Sequence, residues 1–246
     1  MKTFFLSDTH GSVLDIRIYI MHLSKLVHET PFRIIQLGDF GYCDNTGDIG
    51  KVNNICKQYN CYLDFIDGNH EDFDYMENML NLNIHSPTKQ FVKSNINYLG
   101  RGYTEIISDK KVIFFGGAGS FDRFKRKPTK WWQQEKILDL DIANIRVDDY
   151  DLMVSHDAPV GETLGSRNAE YEERYGNMAA KLYVKECNDM YMKALCKINP
   201  KIVVHGHYHH TYEEMYESYT WCGKVVGLNH VNMKSMTCFK EFHEVL

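Results

Sequence analysis

Short apolar runs recur along the chain, and almost every one ends in a polar cluster. Phe4-Phe5-Leu6 leads to Asp8, Ile34-Ile35-Gln36-Leu37 to Asp39, and Leu63-Asp64-Phe65-Ile66 to Asn69. Further on, Val112-Ile113-Phe114-Phe115 opens into Gly116-Gly117, Leu152-Met153-Val154 leads to His156, and Ile202-Val203-Val204 to His207. Runs this short, rich in branched and aromatic residues, read as buried strands. Between them the apolar period changes. Residues 13–27 carry apolar positions at helical spacing behind Ser12, a candidate N-cap. Residues 179–195 repeat the pattern at Ala179, Leu182, Tyr183, Met190, Ala194 and Leu195. Strands alternating with helices predict an α/β architecture whose functional groups collect at the carboxyl ends of the strands. The last third differs: residues 212–219, 224–228 and 236–242 look like successive antiparallel strands, the first two parted by a turn at Gly223.

Composition narrows the class without naming a chemistry. A chain of 246 residues, 43% of them hydrophobic, can bury a substantial core, and no Pro-, Ser- or Gly-rich linker divides it, so one domain spanning 1–246 is expected. The net charge of −5 argues against broad, nonspecific binding to long nucleic acid. Seven cysteines with no C-x-x-C spacing suit reduced thiols in a cytoplasmic protein better than a disulfide framework. The opening apolar run stops at Ser7-Asp8, too early for a signal peptide, and no segment approaches the ~20 apolar residues of a membrane span.

The polar clusters supply the chemistry. Asp8, His10, Asp39, Asn69, His156, His207 and His209 are seven donors suited to divalent metals, and carboxylate with imidazole favours first-row ions. One ion uses four to six donors; seven with a shared carboxylate suit two ions about 3.5–4 Å apart. Asn69 alone, following a glycine, would be read as a turn residue; its company reverses that preference.

Five motifs in order, Asp8-Thr9-His10, Gly38-Asp39, Gly68-Asn69-His70-Glu71, an isolated His156 and Gly206-His207-Tyr208-His209, resemble the calcineurin-like metallophosphoesterase superfamily, and the resemblance covers nearly the whole chain. It implies a four-layer sandwich of two mixed β-sheets flanked by helices, with the C-terminal strands finishing the second sheet. It implies a binuclear centre with Asp39 as the bridge, one ion on Asp8, His10, Asp39 and His209 and the other on Asp39, Asn69, His156 and His207. Manganese is the expected metal, with iron, nickel and zinc as alternatives. A hydroxide shared by the two ions would attack phosphorus, and His70 would protonate the leaving alcohol. One position departs from the family. Where many relatives carry a second Asp that orients the catalytic histidine, this chain has Tyr42, leaving Glu71, Asp72 or backbone to fix His70.

A second region, from Gly116 to Glu135, leaves a strand through glycines and then carries Arg123, Lys125, Arg126, Lys127 and Lys130 ahead of Trp131-Trp132. Its G-G-A-x-S-x-D and W-W-x-x-E stretches resemble a bacterial and phage-type branch of the superfamily. Arg123 and Arg126 suit phosphate, and Trp131 and Trp132 suit a nucleobase; the competing reading is a solvated loop anchored by its tryptophans. His210, beside a candidate ligand, is a further cleft candidate. Residues 120–135 and 160–177 are expected to form the rim and a flap. The function expected is a phosphodiesterase acting on a small nucleotide-like ester. A phosphomonoesterase is the alternative, with a nuclease or a non-catalytic metal scaffold behind it.

Overall fold

The computed structural model describes residues 1–27, 31–44, 46–166, 177–230 and 239–246. In chain order its elements begin with β1 (Thr3–Leu6), α1 (Val13–Leu26), β2 (Phe32–Leu37), α2 (Asp48–Gln58), β3 (Cys61–Ile66) and α3 (Phe73–Asn78). Next come β4 (Lys89–Lys93), β5 (Ile96–Leu99), β6 (Tyr103–Ile107), β7 (Lys110–Phe115), α4 (Asp139–Ala143) and β8 (Leu152–Ser155). The chain finishes with α5 (Met178–Ile198), β9 (Ile202–His205), β10 (Tyr212–Glu217), β11 (Cys222–Gly227), β12 (Phe239–Glu241) and α6 (Phe242–Val245). The strands form two mixed six-stranded sheets, ordered β12-β1-β2-β3-β5-β4 and β10-β11-β9-β8-β7-β6.

The apolar runs are strands for a reason visible in their packing. Alternate residues of one strand point to opposite faces. On the first sheet, Phe4, Leu6, Ile34 and Leu63 join Ile16, Ile20 and Leu23 of α1 and Val52 of α2 in one core. Their neighbours Phe5, Ile35, Leu37 and Ile66 meet Val112, Phe114, Leu152, Val154 and Val204 of the other sheet in a second. The far face of that sheet, through Ile113, Phe115, Met153 and Val203, packs on Tyr191, Ala194, Leu195 and Ile198 of α5. Both faces of each sheet are covered, which is why the central strands show no polar alternation and why four layers result.

Ser12 caps α1 as its sequence suggests, its side chain accepting from the Asp15 amide. The helix anticipated over 179–195 runs from Met178 to Ile198, capped by Asn177. The C-terminal strands depart from expectation in two ways. Gly223 lies inside β11, packed under the Trp221 ring, and the bend between β10 and β11 falls at 218–221 instead. The last strand, β12, does not finish the second sheet but crosses to the first, pairing antiparallel with β1. Residues 236–238 and 167–176, part of the anticipated strand and flap, lie outside the described residues. No helix among the described residues is long and apolar enough to cross a membrane.

Candidate metal centre

The two sheets present their parallel strands, β1-β2-β3 and β7-β8-β9, with carboxyl ends converging. Asp8, Asp39 and Asn69 follow β1, β2 and β3 within three residues; His156 and His207 follow β8 and β9 within two. Asp8, His10, Asp39 and His209 offer ligand atoms that all lie within 4.8 Å of one another. His10 Nε2 stands 3.1 Å from His209 Nε2 and 3.9 Å from Asp39 Oδ2, and His209 Nε2 lies 3.4 Å from Asp8 Oδ1. The backbone aims these groups. Asp8, His10, Asp39, His207 and His209 all adopt left-handed conformations, with φ between 45° and 66°. Residues other than glycine pay for that geometry, and they cluster in it where function requires it. The two loops are tied together by His10 N–H donating to Asp39 O at 2.9 Å and Gly11 N–H to Phe40 O at 3.1 Å. Ser7 donates to Asp8 Oδ2, and the His207 amide donates to the same carboxylate.

The other face of Asp39 is buried. Its Oδ1 accepts from the His70 amide at 2.8 Å and lies 3.3 Å from His156 Nε2. The two oxygens of Asp39 therefore look toward different histidines, as a bridging carboxylate would. His156 Nδ1 faces Leu37 O at 2.7 Å, so a neutral ring donates there and leaves Nε2 bare. Nε2 in turn stands 3.1 Å from Asn69 Oδ1. Between an imidazole lone pair, an amide oxygen and a carboxylate the favoured occupant is a cation. Burial disfavours a charged His156, yet Asp39 and Asp8 push its pKa up to about 10. Burial would likewise raise Asp39, but His156 and His70 hold it well below the carboxylate range. The donors thus demand positive charge at their centre, and they fit divalent metals by type and by orientation. Space is tight: a side chain at Gly68 would strike the Asp39 carboxylate and stand 2.8 Å from His156 Nε2.

His70 sits beside this cluster, its ring in edge contact with that of His10 at 5.2 Å. Neither acidic neighbour orients it. Glu71 is fully buried beneath the loop, accepting from the Phe40 and Gly41 amides at 2.7 and 3.0 Å, with its pKa pushed up by burial and by Asp39 to about 7. Asp72 caps α3 through the Tyr75 amide. Tyr42 turns away and donates to Ser12 O at 2.7 Å. The group on His70 is Arg126, whose Nη2 lies 2.6 Å from Nε2 and 3.0 Å from Nδ1, while Nη1 donates to Asn69 O at 3.0 Å and Asp122 braces the guanidinium at 2.8 Å. The group in contact with the His70 ring is thus a cationic donor and not a carboxylate.

The remaining candidates separate. Arg126, Lys130 and Trp132 line a cleft of about 330 Å³ that opens beside His70. Arg123 faces elsewhere, its guanidinium 4.0 Å from the Trp131 ring and 4.2 Å from that of Tyr183. Trp131 lies edge-on to Tyr183 and so belongs to that aromatic box. His210 stacks on Tyr212. Two contributors escaped the sequence reading. His230, in a loop after β11, has its ring 4.7 Å from that of His209, and Ser120 accepts from Asn69 Nδ2 at 3.0 Å. Only proximity in space marks them.

Comparison with known proteins agrees with this geometry. The family model described as calcineurin-like phosphoesterase matches residues 1–211. Among solved structures, TT1561 of Thermus thermophilus is similar at 11% identity over 94% of this chain and 89% of that one, with a TM-score of 0.53. The phosphopantetheinyl hydrolase PptH of Mycobacterium tuberculosis aligns at 10% identity over 98% and 95%, with a TM-score of 0.48. A phosphatase of Mycoplasma pneumoniae aligns at 14% identity over 94% and 72%, with a TM-score of 0.40. No curated protein sequence matches the chain. With six-sevenths of its length under one family model and a clustered Asp/His donor set at the strand ends, the chain belongs to the calcineurin-like phosphoesterase family and is a metal-dependent hydrolase of phosphoric esters.

Proposed function

We propose that the protein is a phosphodiesterase acting on a small nucleotide-like ester, with two divalent ions, manganese foremost, held by Asp8, His10, Asp39 and His209 and by Asp39, Asn69, His156 and His207. The observation that carries the diester reading is the cleft beside His70, lined by Arg126, Lys130 and Trp132. A substrate whose phosphorus lies over the donor cluster needs room for a second arm. That cleft offers an aromatic face for a base and, beside Asp44, Asp72 and Asp122, two cations for an anion. Ions in this donor set would acidify a shared water and clamp phosphate oxygens. The protein's own part is orientation. His70 would give the departing alkoxide its proton, and Arg126 lies against its ring. The all-nitrogen and oxygen donor set favours manganese or iron over ions that seek thiolate. A cytoplasmic setting agrees with six described cysteines, all of them free thiols.

Purified protein loaded with manganese, assayed against bis-p-nitrophenyl phosphate, p-nitrophenyl phosphate and cyclic nucleotides, tests the reading. The diesters should turn over with kcat/KM at least about tenfold above the monoester, a difference of ~1.4 kcal/mol in transition-state binding. A preference for the monoester would assign the protein to the phosphatases.

A further inference from the structure

The segment running from Gly116 to Glu135 was singled out by its sequence for its arginines and tryptophans, yet two of its small and acidic residues reach the metal centre from behind. Asn69 Nδ2 donates to Ser120 Oγ at 3.0 Å. Ser120 Oγ donates to Glu135 Oε2 at 2.7 Å, and the Ser120 amide donates to Glu135 Oε1 at 3.0 Å. The Tyr183 hydroxyl, from α5, also donates to Oε1. Asn69, Ser120 and Glu135 are 3%, 0% and 1% exposed, so water does not compete for these bonds.

The order of donors in this chain has a consequence. The two ends of a carboxamide have nearly the same shape, but only the oxygen can ligate a metal, and the partner of the other end decides which faces where. A serine hydroxyl owns one proton. Three donors converge on the two oxygens of Glu135, which therefore acts as the acceptor and draws the Ser120 proton to itself. Ser120 is left able only to accept from Asn69, so the amide nitrogen points back and Oδ1 points forward, 3.1 Å from His156 Nε2. The spacing of the chain is clamped from below. Buried Arg101 bonds Gln134 O at 2.7 Å and Lys136 O at 2.6 Å, and its guanidinium pairs with Asp67, two residues before Asn69, at 2.7 Å.

We propose that Ser120 and Glu135 are positioning residues that set the polarity of the Asn69 amide, holding its oxygen toward the buried half of the metal centre. The inference rests on reading Asn69 as a metal ligand. Partners behind a ligand typically change metal affinity by about 10- to 100-fold when removed.

The test is manganese binding, measured by elemental analysis of dialysed protein and by titration calorimetry, on the full chain and on Ser120→Ala, Glu135→Gln, Asn69→Asp and Glu135→Gln combined with Asn69→Asp. The parent should bind two ions. In Glu135→Gln the new NH₂ can donate to Ser120, whose proton then turns to Asn69 and flips its amide. One ion should bind about 10- to 100-fold more weakly while the other keeps its affinity. Adding Asn69→Asp should restore the second ion, because a carboxylate shows oxygen on either side. A packing role alone would lower the melting temperature without that rescue. Two ions at parental affinity in Glu135→Gln, or no rescue by Asn69→Asp, would overturn the inference. If the parent itself takes up one ion only, the ligand reading of Asn69 fails and this inference with it. Should Glu135→Gln not fold, Ser120→Ala carries the same measurement: weakening of one ion supports the relay, and unchanged affinity overturns it.

Discussion

The two halves of the candidate centre are aimed by different means. In the first, Asp8 is buried but the His10 and His209 side chains are 34% and 28% exposed, and all three residues adopt left-handed backbone. Around Asn69 and His156 the donors are sealed, neither residue has positive φ, and each is turned by a hydrogen bond behind it, from Ser120 and to Leu37 O. His10 and His209 are directed by the backbone, Asn69 and His156 by hydrogen bonds behind their side chains, and His207 joins the buried half with the left-handed backbone of the open one. Backbone direction leaves a donor free on its far side, where substrate and solvent can arrive; hydrogen-bond direction needs buried depth. Asp39 belongs to both, with one oxygen toward each.

Asp39→Ala should have the largest effect, because it removes the residue the two halves share. Elemental analysis should find both ions gone after manganese loading, with activity at the level of the metal-stripped parent; one ion retained at full occupancy would show that the halves are independent. A smaller effect should appear in the rate of metal loss. With excess chelator, the ion of the open half should leave before the ion of the sealed half, giving two phases of equal amplitude. His10→Ala should remove the fast phase alone. A single phase in the parent would erase the distinction between the halves.

The smallest predicted effect concerns the rim. Arg126→Ala should raise KM for a nucleotide diester about tenfold or more, since a charge-assisted contact is worth ~1.5–3 kcal/mol. Arg123→Ala should leave KM alone and instead lower the melting temperature by several degrees. The loss of its aromatic box is worth roughly 0.5–2 kcal/mol, at about 2–4 °C per kcal/mol for a chain of this size. Identical behaviour of the two variants would return both arginines to one role.

That pair shows where sequence stops being informative. Asp8, His10, Asp39 and His156 were legible because each follows an apolar run, and strand ends converge in any α/β sandwich. Arg123 and Arg126 belong to the same short turn and the same residue type. Which of them faces His70 depends on Tyr183, some sixty residues away in α5. Ser120 and Glu135 were hidden in the same way: serine after glycine carries no signal until the loop after β7 is known to pass Asn69. The destination of β12 was equally nonlocal. Its own pattern fits either sheet, and only the open edge of β1 decides between them. Tyr42 was legible as a departure from the family but not in its outcome, since nothing near it in sequence announces Arg126.

The left-handed backbone at five candidate donors places a second selective filter on those positions, one that is blind to chemistry. Valine, isoleucine and threonine are excluded there by their branched Cβ, whatever becomes of the metals. Should a descendant of this chain abandon catalysis, its drift at 8, 10, 39, 207 and 209 would be channelled into glycine, asparagine and their few tolerant equivalents. Lineages that have lost the activity would therefore keep a fossil of it in backbone preference, long after the last ligand has gone.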